Sequence, residues 1–356
     1  MKVDMNAFQY TALPARVIFG SGTLKQVREE MQALGCRRAL ILSDAHHAAG
    51  AAADLAAVLG PLAAGISTDA VMHTPVEITL RVMAKLDQLG IDCLIAVGGG
   101  STIGLSKALA LRTNLPQIVV PTTYAGSEAT PILGQTENDV KTTLRSMDVL
   151  PEVIVYDVDL TIDLPVKISV TSGINAIAHA VEALYAKDAN PVTSLLAEKG
   201  IEALGFALPR IAEDMRDHEA RQQALLGAWM CGTCLGAVGM SLHHKLCHTL
   251  GGRFNLPHAE THAIVLPHAA AYNADAAPLA MERVARALGV DHAPSGLFDL
   301  ARQLGAPTAL KDIGMAEQDI EVAVEAALAA PYWNPAPVQR NRLRALLENA
   351  FFGNRP

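Results

Sequence analysis

The sequence predicts an α/β domain built on a parallel sheet over residues 1–160, followed by an all-α domain over residues 161–356. Three observations predict it. At 356 residues the chain is too long for one ordinary domain and suits two. Its early strands are short apolar runs without polar alternation, the pattern of a parallel sheet covered on both faces. Past residue 160 the patterns turn long, helical and rich in Ala and Leu.

Each element follows in order. Arg16, Val17, Ile18 and Phe19 form a first strand, stopped by Gly20-Ser21-Gly22. Ser21 or Thr23 can cap the amphipathic helix that continues through Met31 and Leu34. Residues 39–42 are a compact apolar strand ending at Ser43 and Asp44. Val76, Leu80, Met83 and Leu86 keep helical spacing across 76–90. Residues 93–97 and 117–120 are two more buried strands with a periodic apolar helix over 103–111 between them, and 153–156 is the last strand. From Pro165 onward, 192–206 and 279–288 exemplify the helical half.

Composition removes several function classes. With 51% hydrophobic and 18% charged residues the chain is no disordered segment. Aromatics are only 4%, so the core rests on Ala, Leu, Val and Ile. A net charge of −8 speaks against nucleic acid or an anionic membrane as partner. The five cysteines are odd in number and no apolar leader opens the sequence, so a reducing cytoplasm is expected. Cys231-x-x-Cys234 admits a redox or zinc reading, but it lacks a second pair and lies in an apolar helix, where buried structural thiols are expected. Residues 224–242 carry no charge, yet four glycines break the run before His243-His244-Lys245. A buried helix is expected there rather than a membrane span.

Two loops follow strands directly. Gly98-Gly99-Gly100-Ser101 sits between a strand and a helix, the arrangement that offers backbone N–H groups to a phosphate. It is not the G-x-G-x-x-G fingerprint, and glycines after a strand are often only a turn. Pro121-Thr122-Thr123-Tyr124-Ala125-Gly126-Ser127 lies at another strand's carboxyl end, where open α/β sheets bind ligands. Asp44 closes a third strand and suits a ribose hydroxyl. Three polar strand ends on one sheet edge predict a nucleotide site.

Histidine is the surplus in the inventory. Five of the twelve, His243, His244, His248, His258 and His262, fall within twenty residues, and His268 follows. His244 and His248 share a helical face, as do Asn175 and His179 upstream. A lone histidine on an apolar helix is usually core; five together point to a pocket.

These residues carry a family resemblance. Gly98-Gly99-Gly100-Ser101, Pro121-Thr122-Thr123, residues 172–179 and His244-x-x-x-His248-x-x-Gly251-Gly252 with Pro257-His258 resemble the iron-containing alcohol dehydrogenase family (group III). The resemblance runs from Phe19 almost to the C-terminus. It implies a group III alcohol dehydrogenase architecture, akin to dehydroquinate synthase, with an N-terminal nucleotide-binding and a C-terminal helical domain. Metal-dependent members hold a cation with one aspartate and three histidines, and the matching positions here are Asn175, His179, His244 and His258. Asn175 removes the anionic ligand, so no metal is expected. Gly104 likewise stands where the family's first helix carries an acid.

The sequence around Asn175, His243–His248 and 256–262 is similar to the branch that reduces the carbon–carbon double bond of 2-maleylacetate to 3-oxoadipate in aromatic-compound breakdown. The resemblance implies a small dianionic substrate, NADH as donor with NADPH admissible, and a homodimer. His244 and His258 are then expected to stabilise developing negative charge, with His248 or His179 donating a proton. Asn175, His243 and Tyr124 are expected at the substrate, and Lys245 and Arg253 are candidates for its carboxylates, although Arg253 equally suits a helix end. Asp44, Gly98, Gly99, Gly100, Ser101, Thr122, Thr123, Ser127 and Lys141 are the expected cofactor contacts. Two other readings stay open: a metal-dependent alcohol dehydrogenase, and a lyase of the dehydroquinate synthase kind.

Overall fold

The structure, a computed structural model, describes residues 8–13, 15–45, 49–138 and 140–356. The chain divides into two compact units, one spanning Leu13–Leu164 and the other containing Pro165–Pro356.

The first unit holds β1 (Arg16–Gly20), α1 (Val27–Ala33), β2 (Ala39–Leu42), α2 (Ala51–Leu59), β3 (Ala63–Ser67), α3 (Val76–Leu89), β4 (Cys93–Gly98), α4 (Gly100–Thr113), β5 (Gln117–Pro121), β6 (Ile132–Glu137), β7 (Val140–Arg145) and β8 (Val153–Asp157). Six strands form one sheet in the order β1-β8-β5-β4-β2-β3, and every pairing is parallel. Consecutive residues of a strand face opposite sides. Ile95 and Val97 accordingly pack with Met31, Leu55 and Leu59 on one face, while Leu94 and Ala96 pack with Val82, Leu105 and Leu109 on the other. Both faces are apolar, which is why the sequence shows no polar alternation.

Three features differ from the sequence expectation. β3 is an additional edge strand whose small residues, Ala63-Ala64-Gly65, make no apolar run. β6 and β7 form an antiparallel hairpin whose Thr, Gln and Lys content hides it. The start of the first helical segment is capped neither by Ser21 nor by Thr23: the Asp157 carboxylate at the end of β8 accepts from the N–H groups of Gly22 (2.9 Å) and Leu24 (2.8 Å) instead.

The second unit comprises α5 (Val166–Leu184), α6 (Pro191–Glu213), α7 (His218–Ala237), α8 (Leu242–Phe254), α9 (His258–Asn273), α10 (Pro278–Leu288), α11 (Ala293–Gln303), α12 (Asp319–Leu328) and α13 (Arg340–Phe352). α5 is its central helix, buried from Ser169 to Leu184 and packed against α6, α7 and α9. Gly200 lets α6 approach α7: a Cβ there would lie 2.7 Å from the Cys231 sulfur. Cys231 and Cys234 are buried free thiols, and burial pushes Cys234 up to about 12. α7 ends at Ala237 and α8 departs at 95°. No single helix among the described residues is long and apolar enough to cross a membrane.

Candidate active site

Sheet order places the expected cofactor contacts side by side. β2, β4 and β5 are neighbours, so Asp44, the Gly98–Gly100 turn and the 121–127 loop leave adjacent strand ends. The chain after β2 runs to β3 on one side, and after β4 to β5 on the other. The β2/β4 edge is therefore the topological switch point, where open α/β sheets bind ligands.

The turn is tightly made. A Cβ on Gly98 would lie 2.5 Å from Thr102 Oγ1, and one on Gly99 would lie 3.0 Å from Thr123 Cγ2. Nothing stands within 4 Å of a Cβ on Gly100, so the backbone is open to close approach there. α4 begins without a side-chain cap; the Thr102 and Ile103 N–H groups turn back to the Gly99 carbonyl (3.1 Å each), and those of Gly100 and Ser101, at the very start, have no carbonyl of the helix to meet. The Thr122 N–H donates to Gly98 O at 3.0 Å and ties the second loop to the first. The Ser127 hydroxyl is buried without a partner.

Lys107, fully buried on α4, anchors the 121–132 segment. Its amine donates to the carbonyls of Ser127 (2.6 Å), Thr130 (2.7 Å) and Ile132 (3.0 Å) and to the Thr130 hydroxyl (3.0 Å). Burial pushes this amine down to about 7, against the pull of the Glu128 carboxyl nearby. Gly104 has a packing reason: a Cβ there would lie 2.3 Å from the hydroxyl of Thr74, whose backbone is left-handed (φ 46°). Lys141 lies on β7, and its side chain falls outside the described residues.

The second unit gathers histidines from α5, α8 and α9 into one buried network. Glu182, wholly buried on α5, accepts from the backbone N–H groups of Ser241 (2.9 Å), His243 (2.8 Å) and His244 (3.4 Å). It thereby caps α8, which has no side-chain cap of its own, and its charge meets the positive end of that helix. The same carboxylate lies 2.7 Å from His244 Nδ1, and His244 Nε2 lies 2.8 Å from His179 Nδ1. A second branch joins His243 Nε2 to His262 Nδ1 at 2.9 Å, with the His258 ring 4.3 Å from that of His262. Burial above all, and then the neighbouring imidazoles, hold His243 and His262 well below the usual histidine range, so both are neutral.

Most of the histidines expected at one site do lie together. His179 and His244 are buried and bonded to each other. Both ring nitrogens of His244 are engaged, Nδ1 by Glu182 and Nε2 by His179, which differs from the expectation that it faces a substrate oxygen. His243 is likewise turned to His262, not to a substrate. His258 is half-buried, and His248 is exposed with its ring 6.2 Å from that of His244. Asn175 lies one turn before His179 with its side-chain carbonyl buried and unpartnered; a half-turn of the amide presents the N–H instead. Lys245 is half-buried, its amine 5.7 Å from the Tyr332 ring centroid. Arg253 is exposed in the last turn of α8, where a cation meets the negative end of the helix. Tyr124, expected at the substrate, is wholly buried. Glu182 was missed, although it is the one acid within the apolar stretch of α5 and stands one turn after His179.

The family's metal positions do not fit a divalent cation as arranged here. Asn175, His179, His244 and His258 bring no carboxylate, and the His244 Nε2 lone pair is occupied by His179. His243, Cys247 and His262 also cluster within metal-ligand range. One of the two imidazole nitrogens carries the hydrogen shared between them, so that trio offers a single ring lone pair beside the thiol.

A two-domain chain with a dinucleotide-type sheet edge and a histidine network in a helical unit defines a class of oxidoreductase. The model of the iron-containing alcohol dehydrogenase family matches residues 14–158 and the model of that family's C-terminal domain matches residues 169–351; the chain belongs to this family. It is 56% identical over 352 residues to the maleylacetate reductase of Rhizobium sp. (strain MTP-10005), covering 99% of this chain and 100% of that one. It is 53% identical to the maleylacetate reductase of Burkholderia cepacia over the same 99% and 100%. The crystal structure of maleylacetate reductase from Agrobacterium tumefaciens superposes with a TM-score of 0.95 at 54% identity, covering 99% of this chain and 100% of that one.

Proposed function

We propose that this chain reduces the carbon–carbon double bond of 2-maleylacetate with NADH, giving 3-oxoadipate and NAD⁺. The observation that carries the reading is its full-length similarity to maleylacetate reductases. The site supplies chemistry to match.

Maleylacetate is a dianion whose alkene is conjugated to a ketone. Hydride from the nicotinamide adds to the alkene carbon distal to the ketone, and the π electrons move onto the ketone oxygen as an enolate. A proton then adds to the adjacent carbon and the ketone re-forms. One hydride and one proton are consumed. His179, at the end of the chain from Glu182, delivers the proton. His258 and the Asn175 amide donate to the developing oxyanion, the electrostatic task a metal performs elsewhere in the family. Lys245 attracts a carboxylate.

The N-terminus of α4 would hold the pyrophosphate, and Asp44 would accept from a ribose hydroxyl and repel a 2′-phosphate, favouring NADH over NADPH. The reaction proceeds without metal. The working form is a cytoplasmic homodimer serving aromatic-compound breakdown, with no nucleic-acid or membrane partner. Mass spectrometry of the product from maleylacetate and NADH tests the reaction: 3-oxoadipate is expected, and unchanged substrate or an alcohol at the ketone carbon contradicts it.

A further inference from the structure

We infer that Glu182 is a positioning residue that fixes the tautomers of His244 and His179 and so selects which nitrogen of His179 exchanges a proton. The inference deepens the reductase reading, which requires proton delivery, but its first test is independent of substrate.

The argument is one of donors and acceptors. Backbone N–H groups donate to both oxygens of Glu182, so the carboxylate accepts and His244 Nδ1 must carry the hydrogen. A neutral His244 then has its lone pair on Nε2. The nitrogen 2.8 Å away, His179 Nδ1, must donate to it. That leaves the lone pair of His179 on Nε2. His179 Nε2 is thus the nitrogen selected for proton exchange, two links from the Glu182 carboxylate. The carboxylate itself cannot drift, because three α8 backbone groups hold it. A neutral amide in place of Glu182 keeps one acceptor oxygen but supplies neither the charge nor the second acceptor, and the tautomer order loses its anchor.

Nitrogen NMR of ¹⁵N-histidine-labelled native protein, assigned with His244→Gln and His179→Gln, reads the tautomers directly. Protonated Nδ1 on both rings, with bare Nε2, is expected; a bare Nδ1 on His244 overturns the inference. Glu182→Gln, if folded, lowers kcat with maleylacetate by about 100-fold while the KM for NADH stays within about twofold. A folded Glu182→Gln with kcat within about threefold of native overturns it. If that variant does not fold, the native spectrum decides alone. A protein that fails to reduce maleylacetate but shows the expected tautomers overturns the substrate reading and leaves the tautomer assignment standing.

Discussion

Glu182 Oε2 and His244 Nδ1 lie 2.7 Å apart in a fully buried position, joining α5 to α8 at the centre of the histidine network. A buried carboxylate that accepts three backbone N–H groups and one imidazole is fully satisfied, and its charge is available to an imidazolium formed further along. The chain from Glu182 to His179 carries the proton in the proposed reaction.

His179→Gln therefore lowers kcat by about 10²- to 10⁴-fold, the range of a positioned acid, with the KM for NADH little changed. The exposed His248, replaced by Gln, lowers kcat by less than about fivefold. Initial-rate kinetics on both variants separate the two candidates for proton donation; equal losses remove the assignment to His179.

Asn175→Asp places a carboxylate at the family's anionic metal position. The variant is expected to purify with more bound divalent metal than the native chain, since the aspartate offsets cation desolvation. The same charge raises the KM for a dianionic substrate, by roughly tenfold. Elemental analysis and kinetics read the two effects, and unchanged metal content contradicts the role given to Asn175.

Lys107→Met leaves the carbonyls of Ser127, Thr130 and Ile132 without their donor. Unmet buried acceptors cost about 1–3 kcal/mol each, so a loss of roughly 3 kcal/mol or more is expected. The loop they fix carries the proposed cofactor contacts, so the KM for NADH is expected to rise as well. Thermal unfolding and NADH titration measure both.

His268, beside Phe298 and outside the network, has its pKa pushed down to about 4 by burial. The folded state excludes a proton that the unfolded chain binds near pH 6.5. Its contribution to stability is complete above pH 6.5 and is lost as pH falls toward 4. His268→Leu removes that part of the acid slope, on the order of 3 kcal/mol or less. Chemical denaturation at pH 7 and pH 5 checks it. The slope shrinks but does not vanish, because His243 and His262 titrate in the same direction.

Much of this was legible in sequence because it is local. Apolar runs without alternation gave the buried strands from Arg16 to Tyr156, and the spacing of Asn175 with His179 and of His244 with His248 placed them on shared helical faces, whereas His258 and His262 share a face only because α9 begins at His258. What was not legible depends on contacts between distant segments. Glu182 is an acid in an Ala-rich helix until α8 is seen to need a cap. Asp157 replaces Ser21 as a cap across 135 residues. Gly104 reads as a missing acid, and only the left-handed Thr74 against it supplies the reason. β3 was hidden because an edge strand of small, half-exposed residues needs little hydrophobicity.

The central claim is a maleylacetate reduction run by a histidine–amide site without metal. NADH consumption with maleylacetate, measured before and after exhaustive chelation, tests it most directly. The account predicts the same rate in both samples and no stimulation by added zinc or iron. A rate abolished by chelation and restored by either metal would contradict it.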